Sequence, residues 1–488
     1  MREIFISKYK YIFLTGLAVL LTTAYFSEGY FHQDEQFQIL EFTNYKLGKS
    51  PATDLAWEHA AKIRPALQPA LAYGAIKVLS AIGITSPFHH ILLFRLITAF
   101  LMWLVTSKLC VFLVDQFSTE KGKKLFVMMS MFLWFVPFLS VRFSSEVYST
   151  LTFLVAVYLI LRYKDSGIFR YLIAGFMMGF SFFFRFQVAF AIMGIGLWMI
   201  MINKSRWQHI AALITGVIIS ALLCIYLDRW FYGGWELTPL NYFNVNILEG
   251  KAAQFGVSPW WYYFSIFIIK ALPPISVFLL FFFIIGVYKK PRDPITWFTL
   301  AFLVAHLIVG HKELRFIFPM IFPLIYFAAI GVDYFLQSGK YQKVIRFVIT
   351  FSVVVNFLLL FVRTFLPVDQ AINYYRFLYN NFDGDEILFC RDRDLYNMSE
   401  LNVNFYRSEH VNCNIFTQDS QITLYLETNK PDSIFIFERK ISDQVEHPGY
   451  NKERIYCFFP KWLLAIELFN WKESTSIWNV QKLTRVRD

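Results

Sequence analysis

Long apolar stretches separated by short polar ones dominate the first three quarters of the chain. About eleven of these stretches approach the ~20 residues that a helix needs to cross a bilayer. They predict transmembrane or re-entrant helices at 11–27, 89–114, 125–140, 147–161, 171–184, 186–202, 209–227, 262–287, 295–310, 316–336 and 344–366. The pair at 171–184 and 186–202 is joined only by Arg185, which favours a re-entrant hairpin with a buried or water-lined tip.

The pattern changes after residue 366. Residues 367–488 are rich in Asp, Asn and Glu and contain short alternating apolar runs, such as 433–437, which are typical of strands. The sequence therefore predicts an all-α polytopic membrane domain at 1–366 and a small mixed α/β domain at 367–488. Cys390, Cys413 and Cys457 lie in the second domain, and two of them could form a disulfide, although the sequence does not say which.

Composition supports membrane insertion and gives an orientation. The chain has 488 residues, of which 57% are hydrophobic and only 17% are charged, so a soluble protein of this size is excluded. The net charge of +11 does not indicate a nucleic-acid partner, because the basic residues lie in short loops such as 121–124, 204–206 and 289–292. The positive-inside rule makes these loops cytoplasmic, so 28–88, 228–261 and 367–488 are predicted to be extracytoplasmic.

The most informative polar motif is His32-Gln33-Asp34-Glu35, directly after the first apolar stretch. Asp34 and Glu35 are candidate catalytic residues, and His32 is a candidate substrate-binding residue. Because adjacent residues of a helix point in different directions, one carboxylate can face a substrate while the other braces it. Acidic residues also open helices, so a simple helix cap is the alternative interpretation.

Further candidates lie in or beside the predicted outer loops. Arg64 is either an interfacial anchor or a phosphate clamp. Arg185 stands in an apolar hairpin, where a desolvated guanidinium requires an anionic partner. Aromatic residues mixed with Gly, Pro and Asn shape 228–261 as a loop that could hold a sugar ring. Besides Arg185, the substrate-binding candidates here are Trp57, Glu58, Arg142, Glu146, Tyr232, Trp235, Asn241 and Trp260.

The segment from His311 to Arg315 places three potential cations and Glu313 beside a span, on the side that disfavours Lys and Arg. Arg64, His311, Lys312 and Arg315 are therefore predicted to bind a phosphate, with Glu313 at the substrate. An outward-facing base cannot easily use cytoplasmic nucleotide sugars, so the donor would be a sugar on a polyprenyl phosphate. The carboxylate would take the proton of the acceptor hydroxyl, and the cations would neutralise the leaving phosphate.

These motifs, at 32–38, 57–64, 142–146, 231–260 and 311–319, resemble those of the polyprenyl-phosphate-mannose-dependent mannosyltransferases of glycosyltransferase family 22, most of all its GPI-type members. The resemblance covers about residues 20–330. It implies a GT-C architecture, Asp34 as the base, Glu35 as an acceptor-side or bracing residue, and inverting transfer of mannose to a lipid-linked or surface glycan as an α-mannoside. It also implies no cofactor and no bound metal. The active site would face the periplasm of a bacterium or the endoplasmic reticulum lumen of a eukaryote.

Two other functions stay open from the sequence. A transporter could use Asp34 and Glu35 for proton coupling, although transporters tend to contain internal repeats and midplane charges. A transferase of the same architecture could instead use another polyprenyl-phosphate sugar.

Overall fold

The computed structural model describes residues 2–162, 167–338, 342–398, 401–408, 411–440, 446–467 and 471–486. The chain folds mainly as α-helices, which are in order α1 Arg2–Phe26, α2 Glu41–Lys46, α3 Trp57–Ala60, α4 Leu67–Ala81, α5 Pro87–Leu113, α6 Glu120–Phe132, α7 Phe135–Ser140, α8 Ser145–Arg162, α9 Ile168–Phe184, α10 Ala189–Met201, α11 Trp207–Tyr232, α12 Thr238–Phe243, α13 Lys251–Gln254, α14 Tyr262–Ala271, α15 Ile275–Lys289, α16 Pro294–Ile308, α17 Ile321–Ser338, α18 Gln342–Phe365, α19 Gln370–Asn381, α20 Asp419–Asn429, α21 Lys461–Leu464 and α22 Trp471–Ser474. Short π-helices cover Glu35–Leu40 and Asn244–Leu248, and 3₁₀ turns cover Ala52–Asp54, Val114–Gln116, Phe186–Val188 and Leu314–Met320. The strands are β1 Leu388–Arg391, β2 Asn397–Met398, β3 Leu401–Asn402, β4 Asn414–Phe416, β5 Ser433–Glu438, β6 Tyr450–Cys457 and β7 Asn479–Arg485.

Within the described ranges, six helical segments are long and apolar enough to cross a membrane, at Phe5–Phe26, Pro87–Gln116, Ser145–Arg162, Trp207–Tyr232, Leu314–Ser338 and Arg346–Asn381. Shorter apolar helices lie at Ile168–Phe184, Phe186–Met201, Tyr262–Ala271, Ile275–Lys289 and Pro294–Ile308. The protein is therefore embedded in the membrane through several spans.

Two stretches that the sequence predicts as single helices are each broken in the structure. Residues 262–287 divide into α14 and α15 at Pro273 and Pro274, because proline removes a backbone donor and clashes with the preceding turn. Residues 125–140 divide into α6 and α7, since the ring of Pro137 excludes the carbonyl of Leu133, four residues earlier, from a continuous helix. Asn356 satisfies this second break by accepting from Trp134 N at 2.8 Å and donating to Phe132 O at 2.7 Å.

Helix α9 packs on α11 through glycine. A Cβ atom at Gly175 would lie 1.9 Å from the Leu213 carbonyl oxygen, and one at Gly216 would lie 2.1 Å from the Leu172 carbonyl oxygen. Only glycine permits this backbone-to-backbone approach, which is a common way for helices to associate in lipid, where burying apolar side chains gains little.

The chain divides into two compact units. The first, here called the helical unit, comprises 1–27, 57–84 and 89–366, and the second, the mixed unit, comprises 28–56, 85–88 and 367–488. Part of the first outer loop, including Asp34, therefore folds with the C-terminal residues.

The mixed unit contains a five-stranded sheet in the order β4-β1-β5-β7-β6. Strand β1 is parallel to β4 and β5, whereas β7 is antiparallel to β5 and β6. Ile422 and Leu426 of α20 pack with Ile434, Ile436 and Leu483 of the sheet to form its core. A disulfide joins Cys390 of β1 to Cys413, next to β4, which answers the pairing that the sequence left undetermined.

Candidate active site

Asp34 stands at the N-terminus of the π-helix Glu35–Leu40 in the mixed unit. Its side chain is 17% exposed, so it is accessible without being fully solvated. The Nδ1 atom of His32 lies 3.3 Å from Asp34 N and 3.4 Å from Asp34 Oδ1. A proton accepted by Asp34 would therefore have an imidazole within reach. Glu35 is the first residue of the π-helix and is partly buried.

The remainder of this helical segment buries polar side chains instead of exposing them. Gln36, Glu41 and Asn44 are each at most 2% exposed. Glu41 Oε1 accepts from Gln36 Nε2 at 2.7 Å and from the backbone N–H of Phe405 at 3.1 Å. Burial raises the pKa of Glu41 to about 7, and these hydrogen bonds partly counteract the rise. The sequence offered one signal for this residue, an acidic side chain directly between the apolar Leu40 and Phe42.

In the helical unit, five of the predicted residues form one network of charges. Glu146 Oε1, at the start of α8, lies 3.3 Å from Arg185 Nη2 and 3.6 Å from Arg315 Nη1. Arg315 Nε also donates to Glu313 Oε2 at 2.7 Å, and His311 Nε2 lies 3.1 Å from Glu313 Oε1. Glu146, Arg185 and Arg315 are each at most 7% exposed. The sequence predicted that Arg185 needs an anionic partner, and Glu146 is such a partner.

The ring of Phe316 lies close to both arginines of this network. The guanidinium carbon of Arg185 lies 5.0 Å from the ring centroid, and that of Arg315 lies 5.5 Å from it. Arg185 reaches this position because it is a single extended residue, with φ −153° and ψ 108°, between α9 and the 3₁₀ turn before α10. A cation near the face of an aromatic ring is stabilised by the ring, while the edge of the guanidinium group can make polar contacts.

Lys312 adds a buried cation next to the network. It is 5% exposed, and its ammonium group donates to the carbonyls of Ser258, at 3.1 Å, and Val309. Burial lowers the pKa of Lys312, because desolvation disfavours its charged form. Lys312, Arg185 and Arg315 together carry three positive charges, against the two carboxylates of Glu146 and Glu313. An anion would therefore find a favourable field here.

Residues 57–66 form a second group with the end of α11 and the loop after it. Arg64 Nη2 lies 3.6 Å from Glu58 Oε1, and the hydroxyl of Tyr232 donates to the Arg64 carbonyl at 2.7 Å. Asn241 Nδ2 donates to the Lys62 carbonyl at 3.2 Å. These contacts join predicted residues from distant parts of the sequence and fix the backbone on both sides of Arg64.

Asp228 is a residue of this second group that the sequence analysis did not single out. It is fully buried, and it accepts from Ala66 N and from Thr238 Oγ1, each at 2.7 Å. An acidic side chain is disfavoured at the C-terminal end of a helix such as α11, so its presence there was the available signal. Asp228 ties the chain after Arg64 to the start of α12.

The predicted tryptophans are among the more exposed residues. Trp235 and Trp260 are each 65% exposed, and Trp57 stacks on Phe255 with ring centroids 6.2 Å apart. Arg142, in contrast, is 2% exposed and donates to the carbonyl and hydroxyl oxygens of Ser27, just after α1. This contact holds the end of the first helix.

An apolar cavity opens beside the charge network. Its volume is about 500 Å³ when the open space at its mouth is included, and it is lined by residues of α5, α6, α7, α8 and α17. Two of its lining residues are Val147, which follows Glu146, and Phe318, which follows Arg315 by one 3₁₀ turn. A charged group and an apolar space therefore adjoin within the helical unit. Among the residues that the structure describes, no group of three or more His, Cys, Asp or Glu side chains is placed to hold a metal ion.

Solved structures with this fold include ArnT from Cupriavidus metallidurans bound to undecaprenyl phosphate, with a TM-score of 0.53 and 10% sequence identity over 88% of this chain and 93% of that one. The same protein in the apo state aligns with a TM-score of 0.51. The mostly helical fold is thus of the GT-C type of membrane glycosyltransferases. The Alg9-like mannosyltransferase family matches residues 11–386, and the chain belongs to this family.

Curated relatives agree with this family membership. GPI mannosyltransferase 3 of Yarrowia lipolytica is 26% identical over 66% of this chain and 62% of its own length. Mannosyltransferase APTG1 of Arabidopsis thaliana is 26% identical over 64% of this chain and 56% of its own. A probable Dol-P-Man:Man(7)GlcNAc(2)-PP-Dol alpha-1,6-mannosyltransferase of Schizosaccharomyces pombe is 35% identical over 24% of this chain and 21% of its own. The chain thus spans less than two thirds of the length of each of these relatives.

Proposed function

We propose that this protein transfers mannose from a polyprenyl-phosphate-mannose donor to a lipid-linked or surface glycan. The observation that carries the proposal is the apolar cavity whose lining includes Val147, next to Glu146, and Phe318, one turn after Arg315. Glu146 is the carboxylate that the buried Arg185 and Arg315 share. A lipid phosphate has these two parts, an anionic head and a hydrocarbon chain, whereas a nucleotide sugar lacks the chain. Membership of a mannosyltransferase family supports mannose as the sugar.

The cations of the helical unit bind the donor phosphate in this proposal. Arginine forms bidentate hydrogen bonds to phosphate oxygens. The carboxylate of Glu146 lies close to Arg185 and Arg315 and holds their guanidinium groups in place. Negative charge grows on the phosphate as the bond to the sugar breaks, so fixed positive charges stabilise the transition state more than the ground state. Lys312, His311 and Arg64 are the further phosphate ligands that we propose.

Asp34 is the proposed general base. Its carboxylate takes the proton of the acceptor hydroxyl, the hydroxyl oxygen attacks the anomeric carbon of mannose, and the bond from that carbon to the phosphate oxygen breaks. Polyprenyl phosphate leaves with the electron pair. A single displacement inverts the anomeric centre, so a β-linked donor gives an α-mannoside. Glu35 braces Asp34 or contacts the acceptor, and the exposed Trp57, Trp235 and Trp260 offer faces on which sugars can stack.

We infer that the reaction takes place outside the cytoplasm, in the bacterial periplasm or, in a eukaryote, the endoplasmic reticulum lumen. The disulfide between Cys390 and Cys413 supports this side for the mixed unit, because disulfides persist in oxidising compartments. The partners are then the bilayer, the lipid donor and a glycan or glycolipid acceptor.

The test is a transfer assay with the full chain in lipid vesicles. Polyprenyl-phosphate-[³H]mannose should give labelled glycoside, whereas GDP-[³H]mannose, the control donor, should not. Label that crosses the vesicle membrane without a new glycosidic bond would indicate a transporter. Turnover only with a different polyprenyl-phosphate sugar would show that the donor sugar is not mannose.

A further inference from the structure

The loop that carries Asp34 is attached to C-terminal residues before and after the catalytic motif, all within the mixed unit. Before the motif, Val368 N donates to the Glu28 carbonyl at 2.7 Å, and Arg376 pairs with the Glu28 carboxylate. Gly29 has φ +94°, and a Cβ atom there would lie 2.6 Å from Asp369 Cβ. The chain therefore enters the motif in close contact with residues 368–376.

After the motif, Glu41 forms a second attachment. It is 1% exposed, and its Oε1 atom accepts the backbone N–H of Phe405 and the side-chain amide of Gln36. Gln36 lies two residues after Asp34, in the same π-helix as Glu35. One carboxylate oxygen thus connects the helix that begins at the catalytic motif to a residue more than 360 positions later in the chain.

Asp54 forms a third attachment to the same C-terminal segment. Its Oδ2 atom accepts from Asn404 Nδ2 at 2.8 Å and from Asn402 Nδ2 at 3.1 Å. The three residues Asn402, Asn404 and Phe405 therefore supply donors to both acidic side chains. They lie beyond residue 386, where the match to the mannosyltransferase family ends.

We propose that residues 402–405, acting through Glu41, hold the Glu35–Leu40 helix so that Asp34 and Glu35 keep their catalytic orientation. Glu41 is a positioning residue in this scheme, which rests on the proposed function. A buried carboxylate is costly unless donors surround it. Withdrawal of the 402–405 segment would remove the backbone donor of Phe405 from Glu41, so the helix would lose this attachment to the C-terminal residues.

The experiment compares full-length wild-type protein with Glu41→Ala and with Glu41→Gln, whose carbonyl oxygen keeps the acceptor. Hydrogen exchange is read by mass spectrometry in peptides from 35–46 and from β5. The kcat and the KM for polyprenyl-phosphate-mannose are measured on the same preparations. The matched control is Ile422→Ala, which opens a cavity in the core of the C-terminal sheet without touching Glu41 or Phe405.

Glu41→Ala should speed exchange in 35–46 about tenfold or more while β5 exchanges as in the wild type, because only the attachment is lost. The kcat should fall at least about tenfold with little change in KM, since misplacing a catalytic group by about 1 Å has effects of this size or larger. Glu41→Gln should restore most of both losses. Ile422→Ala should speed exchange in the sheet without selective exchange in 35–46.

An unchanged kcat in Glu41→Ala, or the same loss and exchange pattern in Ile422→Ala, would overturn the positioning role. If wild-type protein transfers no mannose, the proposed function fails by itself. Hydrogen exchange in Glu41→Ala then tests the attachment by itself. Faster exchange confined to 35–46 supports the attachment, and uniform or unchanged exchange refutes it.

Discussion

The helical unit and the mixed unit both bury a carboxylate close to residues assigned to the reaction, but they satisfy it differently. Glu146 in the helical unit faces two guanidinium groups, whereas Glu41 in the mixed unit accepts from a backbone N–H and a side-chain amide. Two guanidinium groups that share one carboxylate can also bind an anionic ligand that enters the site. A carboxylate held by neutral donors fixes a backbone position instead. The proposed roles follow from this difference: the helical unit would bind an anion, and Glu41 of the mixed unit would position a helix.

The largest expected effect separates chemistry from binding. Asp34→Asn in the mixed unit should lower kcat about a thousandfold, since a positioned general base contributes about 10²–10⁴. The dissociation constant for polyprenyl-phosphate-mannose should stay near the wild-type value. Single-turnover kinetics and equilibrium binding of the donor measure the two quantities, with the exposed Lys49→Ala as the control variant. Wild-type turnover in Asp34→Asn would remove that residue from the role of base.

The second effect tests the charge network of the helical unit. Glu146→Gln removes one carboxylate from two buried guanidinium groups and should lower the free energy of unfolding by about 3 kcal/mol. Adding Arg185→Gln should recover about 1–2 kcal/mol, because the two residues are in contact and their effects are coupled. Chemical denaturation in detergent measures Glu146→Gln, Arg185→Gln and the double variant. Strictly additive losses would mean that Glu146 and Arg185 do not depend on each other.

The third effect comes from Glu41 and depends on pH. Its pKa is raised by burial, from 4.5 to about 7, so the folded protein binds the proton more tightly than the unfolded chain does. The free energy of unfolding should therefore fall by up to about 3 kcal/mol as pH rises from about 4.5 to 7, and stay constant above that. Glu41→Gln does not titrate. The difference between wild type and Glu41→Gln, measured by denaturation at pH 5 and 8, isolates this contribution, and an unchanging difference would contradict it.

A smaller effect should appear at the attachment before Asp34. Gly29→Ala forces a side chain into a positive φ and against Asp369, and it should cost the mixed unit about 2 kcal/mol or more. Gly48→Ala is the matched control, because Gly48 also has a positive φ, of +78°, but a Cβ there would meet nothing within 4 Å. Gly48→Ala should cost only about 1 kcal/mol. Equal losses would show that the approach of Asp369 is unimportant.

The smallest effect should come from an ion pair near the surface of the helical unit. Lys62 Nζ lies 2.6 Å from Glu236 Oε1, and this hydrogen bond lowers the pKa of Glu236. Because the lysine side chain is 42% exposed, Lys62→Met should change the free energy of unfolding by less than about 1 kcal/mol. A loss as large as that of Glu146→Gln would mean that exposure does not distinguish the two pairs.

Sequence patterns singled out more of the residues that form polar contacts in the helical unit than in the mixed unit, and the reason is physical. A charge inside an apolar run, such as Arg185, is conspicuous because its burial demands a partner, and the structure supplies Glu146. Proline positions could have revealed the breaks in 125–140 and 262–287, although the apolar pattern alone suggested continuous spans. The strands of the C-terminal region followed from their alternation, as in β5.

The attachments of the mixed unit left almost no trace in the local sequence. Asp54 and Asn404 are ordinary loop residues, and they meet only because the chain returns after about 350 positions. No periodicity encodes such a pairing. The roles of the other predicted residues, including Trp235, Asn241 and Trp260, stay predictions until substrates are bound.

The glycine contacts between α9 and α11 have a mechanical consequence. Because backbone lies against backbone at Gly175 and Gly216, no side chain at these two positions can repack to let one helix slide past the other. Helix α9 ends at Phe184, directly before Arg185, and α11 ends at Tyr232, four residues after Asp228. A tilt of α11 should therefore displace α9 and Arg185 with it, together with the aromatic loop that follows α11.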